Sequence, residues 1–206
     1  STLVVADLGA GTGISSRLFA DRGASVIAIE PNAKMRAQAR PHPNVTWNDG
    51  TAQRTGLADA SVDVIVACQA FHWCATSEVM HEFRRVARRR AALLQYERDE
   101  RDAFTRAYGD VVRVYATDDT EALRRQALET FAAYPGARVR RCAAYSEQVL
   151  DRDAMLGRAA SSSYLPSIGP QAAALVADLN ELFDRFAGDG SVSLRTVVYT
   201  LTADWC

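Results

Sequence analysis

Apolar positions along the chain follow two rhythms. Residues 3–8 (LVVADL), 25–30 (SVIAIE) and 62–68 (VDVIVAC) are short, β-branched runs with little polar alternation, the pattern of strands buried on both faces of a parallel sheet. Between the first two, residues 14–23 have helical spacing and close on Gly23, a residue suited to a helix C-terminus. Residues 31–40 form a second helical stretch, with Pro31 in its first turn and Met35 and Ala39 on one face. A third strand starts at 45–47 and gives way to a polar loop. Residues 76–90 then read as a helix with Val79, Phe83, Val86 and Ala87 as its apolar stripe. A fifth strand is expected at 91–97.

Past residue 98 the rhythm changes. Helices are expected over 101–115 and 119–133. Strands at 137–149 and 191–203 alternate enough to form an antiparallel pair at the sheet edge. Helices at 151–160 and 171–187 lie between them, around the loop SSSYLPSIGP. Strands alternating with helices in this way predict an α/β, doubly wound, mostly parallel sheet, with its ligand edge at the strand C-termini.

A chain of 206 residues suits one domain with a core that needs no disulfides. A net charge of −1 gives no electrostatic reason to expect nucleic acid or an anionic membrane as partner. No apolar stretch approaches the length that spans a bilayer. Cys68, Cys74, Cys142 and Cys206 contain neither a C-x-x-C pair nor zinc spacing, so reduced thiols in a cytoplasmic protein are expected. His42 and His81 stand alone, and no metal site is expected. The arginines from Arg84 to Arg90 read as a solvated helix end.

The chemistry begins at Asp7-Leu8-Gly9-Ala10-Gly11-Thr12-Gly13. A strand, a glycine turn and a helix together aim backbone N–H groups at a ligand, and glycines let it approach the backbone closely. Glu30, at the tip of the second strand, stands where an acid can accept ribose hydroxyls. A dinucleotide fingerprint would need a third glycine at position 14, which is Ile14. A nicotinamide-dependent oxidoreductase is therefore disfavoured.

This loop with Glu30 resembles the first two motifs of the class I S-adenosylmethionine-dependent methyltransferases. Cys68-Gln69-Ala70-Phe71-His72-Trp73 resembles a run in a small-molecule subgroup, distantly like the trans-aconitate methyltransferases. The resemblance implies one Rossmann-like domain over 1–206 with a seven-stranded sheet, an antiparallel edge strand and helical insertions. Residues 1–97 would be the cofactor-binding half, and 98–206 the substrate-side helices and edge strands.

The resemblance also implies roles. Asp7, Gly9, Ala10, Gly11 and Gly13 would wrap the methionine part of S-adenosylmethionine, and Glu30, with Pro31 beside it, would hold the ribose. Asn32, Met35, Gly50, Thr51 and Ala52 would border the adenine. Thr51 stands where many relatives have an aspartate. Cys68, Gln69 and Ala70 would border the methionine portion from the fourth strand. Phe71, His72 and Trp73 would line the acceptor side, with Tyr96, Arg98 and Tyr164 as further substrate contacts.

His72 is expected as a general base or as a packed wall of the pocket; a carboxylate acceptor would need no base. The implied reaction is in-line methyl transfer to an oxygen or nitrogen of a small molecule, releasing S-adenosylhomocysteine. A catalytically silent S-adenosylmethionine-binding module or partner subunit is the main alternative. A nucleic-acid methyltransferase fits less well, since no Asn/Asp-Pro-Pro-aromatic motif follows strand four. Oligomeric state stays open.

Overall fold

The computed structural model describes residues 2–162 and 164–205. In chain order its elements are β1 (Val4–Leu8), α1 (Ile14–Ala20), β2 (Ser25–Ile29), α2 (Ala33–Ala37), β3 (Val45–Asn48), β4 (Val62–Cys68), α3 (Ser77–Val86) and β5 (Ala87–Arg98). They continue with α4 (Ala103–Tyr115), α5 (Thr120–Ala132), β6 (Ala137–Leu150), α6 (Arg152–Ala160), α7 (Gly169–Phe186) and β7 (Val192–Trp205). The strands form one seven-stranded sheet in the order β3-β2-β1-β4-β5-β7-β6. β1 to β5 pair in parallel, and antiparallel strands complete the sheet at the β7-β6 end of the order. The Rossmann-like α/β expectation holds.

β1 is central because its apolar run is buried on both sides, with Asp7 opposite Ala28 on β2 and Val66 on β4. Both neighbours are parallel, so the C-terminal ends of β1, β2 and β4 lie along one edge. The turns that carry the candidate motifs all leave from it.

Two element boundaries differ from the sequence reading. α3 stops at Val86, and Arg88, Arg89 and Arg90 belong to β5 instead of a helix end. Distant acids hold two of them in strand geometry: Arg88 pairs with Asp63 on β4, and Arg90 with Asp204 on β7. α2 is also shorter than its pattern. Asn32 caps it, accepting from the Lys34 and Met35 N–H groups, so Pro31 precedes the helix. Pro41 and Pro43 follow soon after its end.

The chain divides into two compact units. The first comprises Ser1–Gln95, Glu121–Cys142 and Tyr199–Cys206. Its larger core joins Ile65, Met80, Phe83, Phe131 and Trp205, and the Trp205 indole N–H donates to the Ala87 carbonyl at 2.9 Å. A smaller core of Val5, Val26, Val66 and Ala20 covers other strand positions. The second unit comprises Tyr96–Thr120 and Ala143–Val198. α4, α6 and α7 pack there around Phe104, Tyr108, Met155, Leu179, Phe183 and Leu194.

Candidate active site

The glycine turn after β1 crosses to β2. Gly9 and Ala10 N–H both donate to the Ile29 carbonyl, at 2.9 and 3.1 Å, and Gly13 N–H returns to the Ala10 carbonyl at 2.8 Å. Gly9, Gly11 and Gly13 all have left-handed φ, at 65°, 59° and 78°, a region side chains disfavour. Gly9 also has a steric reason to lack a side chain. A Cβ there would stand 2.5 Å from the Ala70 Cβ, so the glycine turn and the turn after β4 are in direct contact. A Cβ on Gly13 would meet Trp47 at 2.8 Å.

Glu30 sits at the β2 tip, almost buried. Its Oε2 accepts from Gly11 N–H at 3.0 Å and its Oε1 from Asn32 N–H at 2.9 Å. Each oxygen has further acceptor capacity, so the loop orients the carboxylate without exhausting it. The Met35 methyl borders the same turn, 3.6 Å from where a Gly11 Cβ would lie.

Asp7 is wholly buried. Its Oδ2 accepts from the Ser15 and Ser16 hydroxyls, each at 2.6 Å, which ties β1 to the first turn of α1. Among the described residues, its Oδ1 is buried without a partner. Burial pushes the carboxyl above its usual range, against the pull of the two serines. Burial also pushes the neighbouring Cys68 thiol up to about 12, reinforced by the Asp7 charge. Cys68 is thus a neutral, unreactive thiol in this wall. Cys74 is raised to about 11 by burial alone.

The end of β4 is different in kind. Gln69 has φ 57°, uncommon for a residue with a side chain, while its N–H donates to the Leu94 carbonyl at 2.9 Å. Both its side-chain Oε1 and Nε2 are buried with no hydrogen-bond partner among the described residues. Phe71–Trp73 then form a 3₁₀ turn. Phe71 faces inward, packing on Phe83 and Phe131 with centroids 5.7 and 5.9 Å away, so it is a core residue and not a wall of the ligand edge. His72 is buried beside Trp73, ring centroids 4.7 Å apart, and Trp73 is 56% exposed.

After β3, Thr51 accepts from Arg54 N–H at 3.2 Å and Ala52 packs against the larger core. Gly50 has a structural reason to be glycine: a Cβ there would fall 2.4 Å from the Thr55 carbonyl oxygen. A cleft of about 590 Å³ opens here, lined by Asn48, Asp49, Gly50, Thr51, Arg54 and Glu78 among others. The strand leading on is anchored from α3. Glu82 Oε1 accepts from both the N–H and the hydroxyl of Thr55, at 2.9 and 2.6 Å. Arg85 pairs with Glu82 and Asp59, and Arg85 with Thr55 holds the Glu82 carboxyl down at about 2. Asp63 accepts from Val4 N–H at 2.9 Å, a structural bond at the strand start.

Tyr96, Arg98 and Tyr164 belong to the second unit. Arg158 lies over the Tyr96 ring at 5.7 Å, Arg98 is 3.6 Å from Glu100, and the Tyr164 carbonyl accepts from Thr117 N–H and hydroxyl. Ser163 lies outside the described residues. Sequence reasoning missed Ser15 and Ser16 as partners of Asp7, and it gave the Gln69 side-chain amide no role of its own. A serine pair one turn into the helix was the available signal for the first; nothing local marks the second. Among the described residues, no group of three or more His, Cys, Asp or Glu could hold a metal ion, and no helix is long and apolar enough to cross a membrane.

Comparisons with known proteins converge on this sheet edge. Residues 6–94 match the methyltransferase domain family. An uncharacterized methyltransferase of Mycobacterium tuberculosis is 36% identical over 111 residues, covering 52% of this chain and 46% of that protein. The chain thus spans about half the length of the curated relatives it matches. Among solved structures, one described as a type II methyltransferase from Anaeromyxobacter dehalogenans aligns with TM-score 0.67 and 25% identity, over 100% of this chain and 90% of that one. The geranyl diphosphate C-methyltransferase of Streptomyces coelicolor, solved with S-adenosyl-L-homocysteine, aligns with TM-score 0.51 and 15% identity over 98% and 72%. With the strand order, the glycine turn and the acid at the β2 tip all in place, residues 6–94 are similar to methyltransferase domains in sequence and in fold.

Proposed function

We propose that this chain transfers a methyl group from S-adenosylmethionine to an oxygen or nitrogen of a small-molecule acceptor, within one domain over 1–206. The observation that carries the reading is the set of unmet polar groups at the ends of the adjacent strands β1 and β4. Asp7 Oδ1 and Gln69 Oε1 are acceptors without donors, and Gln69 Nε2 is a donor without an acceptor. Buried polar groups left this way cost about 1–3 kcal/mol each, so a ligand that meets them is favoured. An aminocarboxylate offers what they lack, an ammonium for the acceptors and a carboxylate for the amide N–H. A fold neighbour solved with S-adenosylhomocysteine supports the same ligand class.

When bound, S-adenosylmethionine would supply a sulfonium methyl carbon open to in-line attack by an acceptor lone pair, the C–S bond breaking as the new bond forms and S-adenosylhomocysteine leaving with the bonding pair. Glu30, already oriented by Gly11 and Asn32, takes the ribose hydroxyls. Met35 and the segment 50–52 border the adenine. His72 and Trp73 wall the reacting end, where aromatic faces favour a cation and exclude water. His72 accepts a proton from a hydroxyl or amine acceptor, while a carboxylate acceptor needs positioning alone.

Thermal shift and calorimetry with S-adenosylmethionine, S-adenosylhomocysteine and NAD test the cofactor. Stabilisation by the first two alone is expected, followed by labelled methyl transfer to one class in a panel of small acids, phenols and amines. Stabilisation by NAD alone, or by none of the three, overturns the reading.

A further inference from the structure

β6 is an edge strand of an unusual kind. It runs for 14 residues, against the usual five or six or so, and it ends the sheet order with only β7 beside it. From Arg140 to Val149 every residue is exposed, while Arg140 pairs with Asp204, Arg101 lies over the Tyr145 ring and Arg158 donates to Gln148. Tyr145 and Val149 are among its exposed residues, at 67% and 69%. A free edge is a template for another strand, and proteins usually block it with lysine, proline, a bulge or a short length. β6 contains neither proline nor lysine, and its charges are Arg138, Arg140 and Arg141 at one end with Glu147 towards the other. Only the first half of the edge is guarded by repulsion.

That asymmetry is self-complementary. In an antiparallel pair of two β6 strands centred on Ala144, residues whose numbers are equidistant from that centre stand opposite each other. Val139 then meets Val149, Arg141 meets Glu147 and Ala143 meets Tyr145, all on one face. On the other face Arg140 meets Gln148 and Cys142 meets Ser146. The two-fold axis makes each of these contacts twice. The register also sets outward-pointing backbone groups against each other, as an antiparallel ladder requires. Sliding by two residues in either direction places a valine opposite a charge, with Arg141 against Val149 or Glu147 against Val139. Within the chain, both charges are already held on their own face of the sheet. Arg141 stacks 4.0 Å from the Tyr199 ring centroid and Glu147 lies 3.5 Å from Arg195, which limits the entropy lost when they pair across the axis.

We propose that β6 is a homodimer interface: two copies of this chain join edge to edge, antiparallel, about Ala144, with the Arg141–Glu147 pairs setting the register. A single strand pair buries less than a standard interface, so association belongs in the micromolar range.

Sedimentation velocity of the whole chain from low to high micromolar concentration tests this. Wild type is expected to shift from monomer to dimer across that range. Arg141→Glu and Glu147→Arg each place like charges opposite each other and should sediment as monomers. An equimolar mixture of the two variants should dimerise again, because each then meets the opposite charge on the other. A wild type that stays monomeric throughout, or a mixture of folded variants that does not associate, overturns the proposal. A second variant checks the register without charge reversal. Ser146→Cys should form a disulfide-linked dimer through the second copy's Cys142 under mild oxidation, and Ser146→Cys with Cys142→Ser should not. Equal cross-linking of both, or of neither, contradicts the pairing.

Discussion

The turn after β1 and the turn after β4 leave neighbouring strands and touch at Gly9 and Ala70, yet they treat their polar groups in opposite ways. Around the first, apart from the buried Asp7 Oδ1, polar atoms are engaged by the protein itself. Glu30 accepts two backbone N–H groups, Gly9 and Ala10 share the Ile29 carbonyl, and one Asp7 oxygen takes two serine hydroxyls. Around the second, Gln69 combines a left-handed backbone with a buried amide that has no partner. One turn is built before any ligand arrives, and the other stores hydrogen-bonding capacity that the fold does not use. Such unmet groups are what a functional site adds to a stable scaffold.

The largest effect should come from breaking the contact between the two turns. Gly9→Ala forces a side chain into left-handed φ and within 2.5 Å of Ala70. It should lower stability by about 2–5 kcal/mol and abolish measurable S-adenosylhomocysteine binding. Denaturant unfolding and calorimetry read both, and near-wild-type binding would mean the turns are not rigidly coupled. Glu30→Ala acts on the engaged side alone. It should weaken cofactor binding by roughly 1–3 kcal/mol, with the far-ultraviolet circular dichroism unchanged.

The loop into β4 sharpens the contrast, because it is pinned where the turn out of β4 is not. With the Glu82 carboxyl at about 2 in the fold against an ordinary 4.5, its stabilisation is complete above the ordinary value. It fades as pH falls from there towards about 2. Glu82→Gln should cost about 1–3 kcal/mol at neutral pH and flatten the acid limb of stability against pH. An unchanged limb would show that Thr55 and Arg85 hold this loop without the charge. The smallest shift is expected at Gln69. Gln69→Gly relieves the left-handed backbone and removes the unpartnered amide, so the ligand-free chain should gain about 1 kcal/mol while cofactor affinity falls. A loss of stability would show that the amide is satisfied in solution.

Much of this contrast was legible in the sequence on one side only. β1, β2 and β4 are continuous β-branched runs whose burial follows from composition, and the Gly9-Gly11-Gly13 spacing with Glu30 at the next strand tip marks the engaged turn. Gln69 gives no such mark, since a left-handed glutamine and an unpaired amide are products of tertiary packing. The start of β5 at Ala87 was hidden for a similar reason. Arg88 and Arg90 look like a helix end until Asp63 and Asp204 are brought beside them from distant strands. Phe71, read as lining the acceptor side, is claimed by the core because Phe131 arrives from α5, some sixty residues on.

The central claim is that the glycine turn after β1 and Glu30 hold S-adenosylmethionine. Calorimetric titration of S-adenosylhomocysteine into wild type and Glu30→Ala, side by side, tests it most directly. The account predicts one site per chain in wild type and an affinity about 5- to 150-fold weaker in the variant, the equivalent of roughly 1–3 kcal/mol. Equal affinity in the two proteins, or no binding to wild type, would contradict it.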